Sequence, residues 1–300
     1  MMEMWILMAA VLIFCAVAVE KMTSKVKLPM LLGFIVLGLF LGNGSFSTLR
    51  YDDYSLTETI CSCALIIVMF YGGFGTNWKE AKSTAVSAGL LASFGVAISA
   101  FATAAFCVFV LGFAPLTGLL VGALVSSTDA ASVFSILRSQ NLSLKYHTDS
   151  LLEVESGSND PMSYMLVLIV LTMMKGGMSA SSVVAMLVVQ IVVGFLTGWI
   201  VFFLGRLFLK RVDLEIAGFL TIFIFACALA SYGLASVLGG NGYLAVYVTG
   251  ILMGNAKIGQ KKELVHFFDG LSALMQIVLF FILGLLARPA LIFKMLPVSF

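Results

Sequence analysis

Residues 155–161, Glu-Ser-Gly-Ser-Asn-Asp-Pro, place two carboxylates and an amide inside a run that is otherwise apolar. A charged side chain at the centre of a bilayer costs roughly 3 kcal/mol or more. A chain keeps such groups where something charged must pass them. A second polar interruption, Ser126-Ser127-Thr128-Asp129, lies one apolar run earlier. Asp129 in mid-membrane needs a partner or water, and Ser and Thr hydroxyls compete for backbone hydrogen bonds there. Broken helices at this depth direct their ends at transported ions. The two stretches together point to an ion or proton pathway.

Spacing sharpens the chemistry. Glu155 and Asn159 are four residues apart, as are Ser156 and Asp160, so each pair stacks on a helix face. Pro161 has no N–H, which leaves the Gly157 carbonyl without its helical donor. A freed carbonyl beside a carboxylate is a ligand set for a small monovalent cation. A carboxylate taken out of water resists carrying a bare charge, so it holds either a proton or a cation but not both well. If the unloaded site does not cross, cation flux is tied to proton flux. Asp160 is the carboxylate assigned that exchange, and Glu155 is assigned a structural ion pair. Glu153 is expected in a wet vestibule. His147 and His266 are expected as solvated loop histidines, and Gly239-Gly240-Asn241-Gly242 as a tight turn. Which alkali cation is carried does not follow from spacing.

The elements that must position these residues follow from composition. The chain has 300 residues, is 61% hydrophobic and 11% charged, and its mean hydropathy is +1.10. A soluble protein has about 25% charged residues, so this is an all-α polytopic membrane protein and not a soluble globule. Apolar runs fall at 4–19, 28–42, 56–75, 84–112, 115–137, 149–174, 179–205, 213–238, 241–256 and 265–287. They make about ten spans of a ~30 Å hydrocarbon core. Cys15, Cys61, Cys63, Cys107 and Cys227 all lie in these runs and are expected to behave as small hydrophobes. No metal centre is expected of them, and no cofactor. No cleavable leader is expected, because the first apolar run is preceded by Glu3 and followed by Lys21, Lys25 and Lys27.

Topology follows from Lys and Arg. With the N-terminus outside, the inner loops hold Lys21, Lys25, Lys27, Lys79, Lys82, Arg138, Lys145, Arg206, Lys210, Arg211, Lys257, Lys261 and Lys262. The outer loops hold Arg50, Lys175, Arg288 and Lys294. The expected location is the cell (inner) membrane. The net charge of +2 by itself says nothing about nucleic acid, and no nucleic-acid partner is expected. Residues 290–300 look like the start of another apolar segment, so the chain is expected to be a C-terminally truncated fragment.

Ser-Ser-Thr-Asp-Ala-Ala-Ser-Val-Phe (126–134) followed by Leu-Leu-Glu-Val-Glu-Ser-Gly-Ser-Asn-Asp-Pro (151–161) resembles the monovalent cation:proton antiporter-1 family. Gly-Asn-Gly-Tyr-Leu-Ala-Val-Tyr (240–247), Gly254-Asn255, Phe268-Asp269-Gly270 and Leu-Phe-Phe-Ile-Leu-Gly-Leu-Leu (279–286) most resemble its bacterial potassium/proton branch, which includes cell-volume-regulation antiporters. The resemblance implies an antiporter fold with inverted repeats and unwound helices, exchanging K+ or Na+ for H+ in pH and volume homeostasis. It implies a homodimer. By resemblance, Asp160 carries the cation or proton, and Thr128, Asp129 and Ser156 line the site where unwound helices cross. Asn159 supports the crossing, and an Asn there accompanies electroneutral exchange. The family's counterpart of Glu155 pairs with an Arg on a helix beyond the tenth span, which Arg288 does not match. Many relatives carry an acidic residue before Gly-Gly in the third span; this chain has Tyr71 before Gly72-Gly73.

Three regions are expected. Residues 1–83 hold the first three helices on the dimer side, 84–178 the ion-translocating bundle, and 179–300 linker and interface helices. A cation channel, a non-transporting scaffold and an intramembrane aspartyl protease using Asp129 and Asp160 are the rival readings. The protease would be an enzyme; the antiporter is not.

Overall fold

The computed structural model describes residues 30–42, 52–129, 144–145, 148–176, 179–212 and 217–287, with positions 3, 7, 10, 11, 13–19 and 21 before them. Lys25, Lys27, Arg50, Arg138, His147, Arg288, Lys294 and residues 290–300 lie outside the described residues, as do residues 130–134 of the first motif.

Every described element is a helix. They are α1 (Met30–Leu41), α2 (Tyr54–Gly75), α3 (Trp78–Ala81), α4 (Ala85–Leu90), α5 (Val96–Phe109), α6 (Pro115–Val125), α7 (Thr148–Met174), α8 (Ala180–Arg211), α9 (Ala217–Val237), α10 (Gly242–Gly254) and α11 (Lys261–Leu286). A π-helical turn, Leu91–Gly95, joins α4 to α5. The described positions 10–11 and 13–19 are helical too. The apolar runs of the sequence therefore each meet a helix. Tyr54–Gly75, Ala85–Phe109, Ser181–Arg211, Gly218–Val237 and Lys261–Leu286 are long and apolar enough to cross a membrane, while Leu31–Leu41, Pro115–Val125 and Gly242–Gly254 are apolar but shorter.

The helices start and stop for local reasons. Ser179 caps α8 by accepting from Ser182 N at 3.2 Å, and Lys210 and Arg211 sit in its last turn, where cations suit the helix dipole. Pro115 opens α6, where its missing N–H is no loss. Asn241 caps α10 by accepting from Leu244 N at 3.0 Å. It follows Gly239 at φ +78°, so the expected turn between α9 and α10 forms where glycine permits it.

The chain divides into two compact units. One comprises 1–65, 131–143 and 270–300; the other comprises 66–130 and 144–269. In the first, Phe34 is buried with Ala16 and Leu31, against Val19, Ile277 and Phe280. In the second, α10 is the most enclosed helix: Gly242, Tyr243, Ala245 through Gly250, Met253 and Gly254 are all buried. Phe70, Phe74 and Phe268 pack beside it with ring centroids 4.9–5.9 Å apart. Large apolar side chains such as Phe109 and Val237, each 86% exposed, face outward, as lipid-facing positions do.

Candidate functional site

The site grows from the end of α6. The last four carbonyls of a helix lack helical donors. Here the Ala123 carbonyl accepts from Ser126 Oγ at 2.8 Å and from Ser163 Oγ, on α7, at 2.6 Å. Ser126 thus closes α6 on itself, and Ser163 ties that end to α7. Residues 127–129 then run on without helical structure, so the fifth span breaks at the expected place.

The broken segment is laced to α7 by side chains. Ser156 Oγ donates to the Thr128 carbonyl at 2.8 Å. Asn159 is fully buried. Its Nδ2 donates to Thr128 Oγ1 at 2.5 Å and to Glu155 Oε1 at 3.1 Å. Thr128 Oγ1 donates in turn to Glu155 Oε2 at 3.2 Å. Ser127 Oγ donates to Asp160 Oδ1 in a close contact and stands 3.4 Å from Asn159 Oδ1. Glu155 and Asn159, placed on one helix face by their four-residue spacing, are hydrogen-bonded to each other. Ser156 reaches the Thr128 carbonyl, and Ser127 is the hydroxyl on Asp160.

The two carboxylates are therefore treated unequally. Glu155 receives donors on both oxygens. Among the described residues Asp160 receives one hydroxyl. Thr128, Glu155, Ser156, Asn159 and Asp160 are brought together; Asp129, next along the chain, is exposed, as is Glu153.

The span expected over 149–174 is one unbroken helix, α7, from Thr148 to Met174 with Pro161 inside it. Proline is tolerated in a membrane helix where neighbouring side chains hold the surrounding backbone. Asn241 Nδ2 does so here, donating to the Pro161 carbonyl at 2.9 Å. Gly157, whose carbonyl Pro161 frees, packs directly against Tyr247 of α10.

Ser127, Ser163, Asn241 and Tyr247 were not singled out from the sequence as site residues. Ser127, Asn241 and Tyr247 all lie in the quoted motifs; Ser163, four residues after Asn159 on α7, had only its helical spacing as a signal. Tyr71, standing where relatives have an acid, donates to Asp269 Oδ1 at 2.7 Å. It thus borrows a carboxylate from the Phe268-Asp269-Gly270 stretch.

Residues 9–299 match the family model described as sodium/hydrogen exchanger, transmembrane. A K(+)/H(+) antiporter NhaP of Alkalimonas amylolytica is 34% identical over 289 residues, covering 95% of this chain and 50% of that protein. A K(+)/H(+) antiporter NhaP2 of Shewanella oneidensis is 33% identical over 291 residues, with the same two coverages of 95% and 50%. The chain thus spans about half the length of the curated relatives it matches. The solved structure of the sodium proton antiporter MjNhaP1 from Methanocaldococcus jannaschii superposes with a TM-score of 0.83 at 21% identity, covering 98% of this chain and 74% of that one. That likeness establishes a shared fold. With a family model matched along nearly its whole length, this multi-pass membrane chain belongs to the sodium/hydrogen exchanger family.

Proposed function

We propose that the protein exchanges a monovalent cation, K+ or Na+, for H+ across the cell membrane, electroneutrally, through competition at Asp160. The observation that carries this reading is the unequal treatment of the two carboxylates. Glu155 is occupied by Thr128 and Asn159, while among the described residues Asp160 meets only the Ser127 hydroxyl. A carboxylate with spare lone pairs facing the end of a broken membrane helix can accept a proton or a cation in turn. One negative group that must be neutralised by one or the other before crossing gives one-for-one exchange. Glu155, already satisfied, holds the crossing together and carries nothing.

Thr128, Ser156 and the Gly157 carbonyl are the oxygens available beside Asp160; Asn159 and Pro161 shape the support, and Asp129 lines the approach. The two NhaP-type relatives named as K(+)/H(+) antiporters support potassium as the cation. Residues 84–178 are proposed as the mobile ion-carrying bundle, with 1–83 and 179–300 on the side of a homodimer contact. The excess of Lys and Arg in the loops assigned to the inner face supports an N-terminus outside.

The test is proton movement in inside-out vesicles holding the full-length protein, on addition of KCl or NaCl, with wild type and Asp160→Asn side by side. Collapse of the pH gradient by one cation in wild type alone, insensitive to membrane potential, is the expected outcome. Conductance without coupled proton movement would replace the antiporter by a channel. Equal exchange by the Asp160→Asn protein would move the site elsewhere.

A further inference from the structure

The stretch 240–247 contributes two buried side chains to the part of α7 that carries the site. Asn241 holds the Pro161 carbonyl. Tyr247 lies one turn of α7 away, against Gly157. A Cβ on Gly157 would stand 2.5 Å from Tyr247 Cε2 and 2.6 Å from Tyr247 Oη, so the phenol occupies the space that any larger residue at 157 would need. Gly157 and Asp160 are three residues apart on the same helical face.

Tyr247 is 3% exposed. Its hydroxyl makes no hydrogen bond within normal length, although the side chains of Ser158 and Thr76 are polar neighbours. Buried hydroxyls without a partner are rare in folded proteins and cost stability. Phenylalanine would fill the same space without that cost. Among the described residues the Tyr247 oxygen therefore has no hydrogen bond of normal length, with Ser158 and Thr76 as its polar neighbours, and the phenol lies against Gly157, whose carbonyl Pro161 frees. Neutral oxygens of this kind, carbonyl and hydroxyl, replace the hydration shell of an alkali cation.

We propose that Tyr247 Oη is a ligand of the transported alkali cation, contacting it together with the Gly157 carbonyl while Asp160 supplies the charge. This rests on the reading of Asp160 as the exchanging carboxylate. It gives the stretch 240–247 a direct part in cation selection, through Tyr247 as an ion ligand and Asn241 as a positioning residue.

The test uses the purified full-length protein as wild type, Tyr247→Phe and Asp160→Asn. Thermal unfolding is followed in choline chloride, KCl and NaCl, and exchange is followed in proteoliposomes against cation concentration. Tyr247→Phe is expected to melt at least as high as wild type in choline, because a bare buried hydroxyl has been removed. It is expected to lose most of the rise in midpoint that the preferred cation gives wild type. Its half-saturating cation concentration rises about tenfold, with the maximal rate within about twofold of wild type. Half-saturation unchanged from wild type overturns the proposal. So does a lower midpoint in choline with the cation-induced rise intact, which would make the hydroxyl a structural one. A cation-induced rise lost in Asp160→Asn but kept in Tyr247→Phe removes Tyr247 from the site and leaves the antiport reading standing. A rise lost in both, in a protein whose cation flux is not coupled to protons, keeps Tyr247 as a ligand and overturns antiport.

Discussion

Two regions of the larger unit are joined by opposite means. The seam between α2 and α10 is close and nearly dry: a Cβ on Gly250 would lie 2.5 Å from the Phe70 carbonyl oxygen and 3.1 Å from Phe74 N. Phe70, Phe74 and Phe268 seal its flank. Its polar groups are settled at the end of the seam, where Asn255 Nδ2 donates to the Thr76 carbonyl at 2.9 Å and Asn255 Oδ1 accepts from Trp78 N at 3.0 Å. The crossing of 126–128 with α7 is instead a lattice of hydroxyls, an amide and two carboxylates. Without a hydrophobic drive between helices in lipid, close backbone packing does the work of rigidity in the first region. In the second, side-chain hydrogen bonds hold the pieces and leave bonding capacity at one atom group, Asp160. Where backbone packs on backbone at Gly250 nothing is left to bind an ion with; a crossing with an under-used carboxylate has that capacity.

The sharpest way to break that contrast is Asp160→Asn. Cation-driven proton movement should fall at least about a hundredfold, near the limit of detection, since the amide can neither take up nor release the proton. The thermal midpoint should stay level or rise, because a half-buried carboxylate has been replaced by a neutral group. A protein that unfolds readily after this change would show that Asp160 belongs to the structural lattice with Glu155.

Gly250→Leu attacks the other region. Forcing a side chain into the α2 seam costs about 1–3 kcal/mol or more by overpacking. The expected result is a lower thermal midpoint and reduced yield of folded protein, with half-saturation by cation unchanged in what survives. A selective loss of cation affinity, with stability intact, would mean the seam is not merely a frame.

Asn159→Ala lies between the two. Asn159 is wholly buried and its Nδ2 serves both Thr128 and Glu155. Its removal strips donors from an oxygen of Glu155 and from Thr128, at a cost of about 1–3 kcal/mol. Both stability and exchange should suffer together, measured by unfolding midpoint and by initial rate in vesicles. Loss of exchange with no loss of stability would place Asn159 on the ion and not behind it.

These tests also mark what was legible beforehand. Hydropathy alone located the helices, because each apolar run must hide its own backbone polar groups in lipid. The break after Val125 was legible because Ser126 through Asp129 cannot stay in an apolar helix without reason. That Glu155 and Asn159 share a helix face followed from four-residue spacing. Which hydroxyl meets Asp160 was not legible: beyond Val125 the backbone is not helical, so no fixed periodicity says where Ser127 and Thr128 point. Nor was the side chain that steadies α7 at Pro161, since Asn241 is 80 residues away in sequence. Spacing carries information within an element and loses it between elements.

Tyr71→Phe should give the smallest effect and sharpens the comparison at its boundary. Tyr71 is on α2, close to the dry seam, yet it donates to Asp269 at 2.7 Å and stands where relatives place an acid. If it belongs to the frame, losing one hydrogen bond to a carboxylate costs about 1.5 kcal/mol at most at a partly exposed position. Exchange should then keep within about threefold of wild type, with the same half-saturating cation concentration. A change of cation preference, read as the ratio of half-saturation by K+ and Na+, would instead put the Tyr71–Asp269 pair on the ion's path. The frame would then reach into selection, and the division between a close-packed seam and a hydrogen-bonded crossing would have to be redrawn through α2.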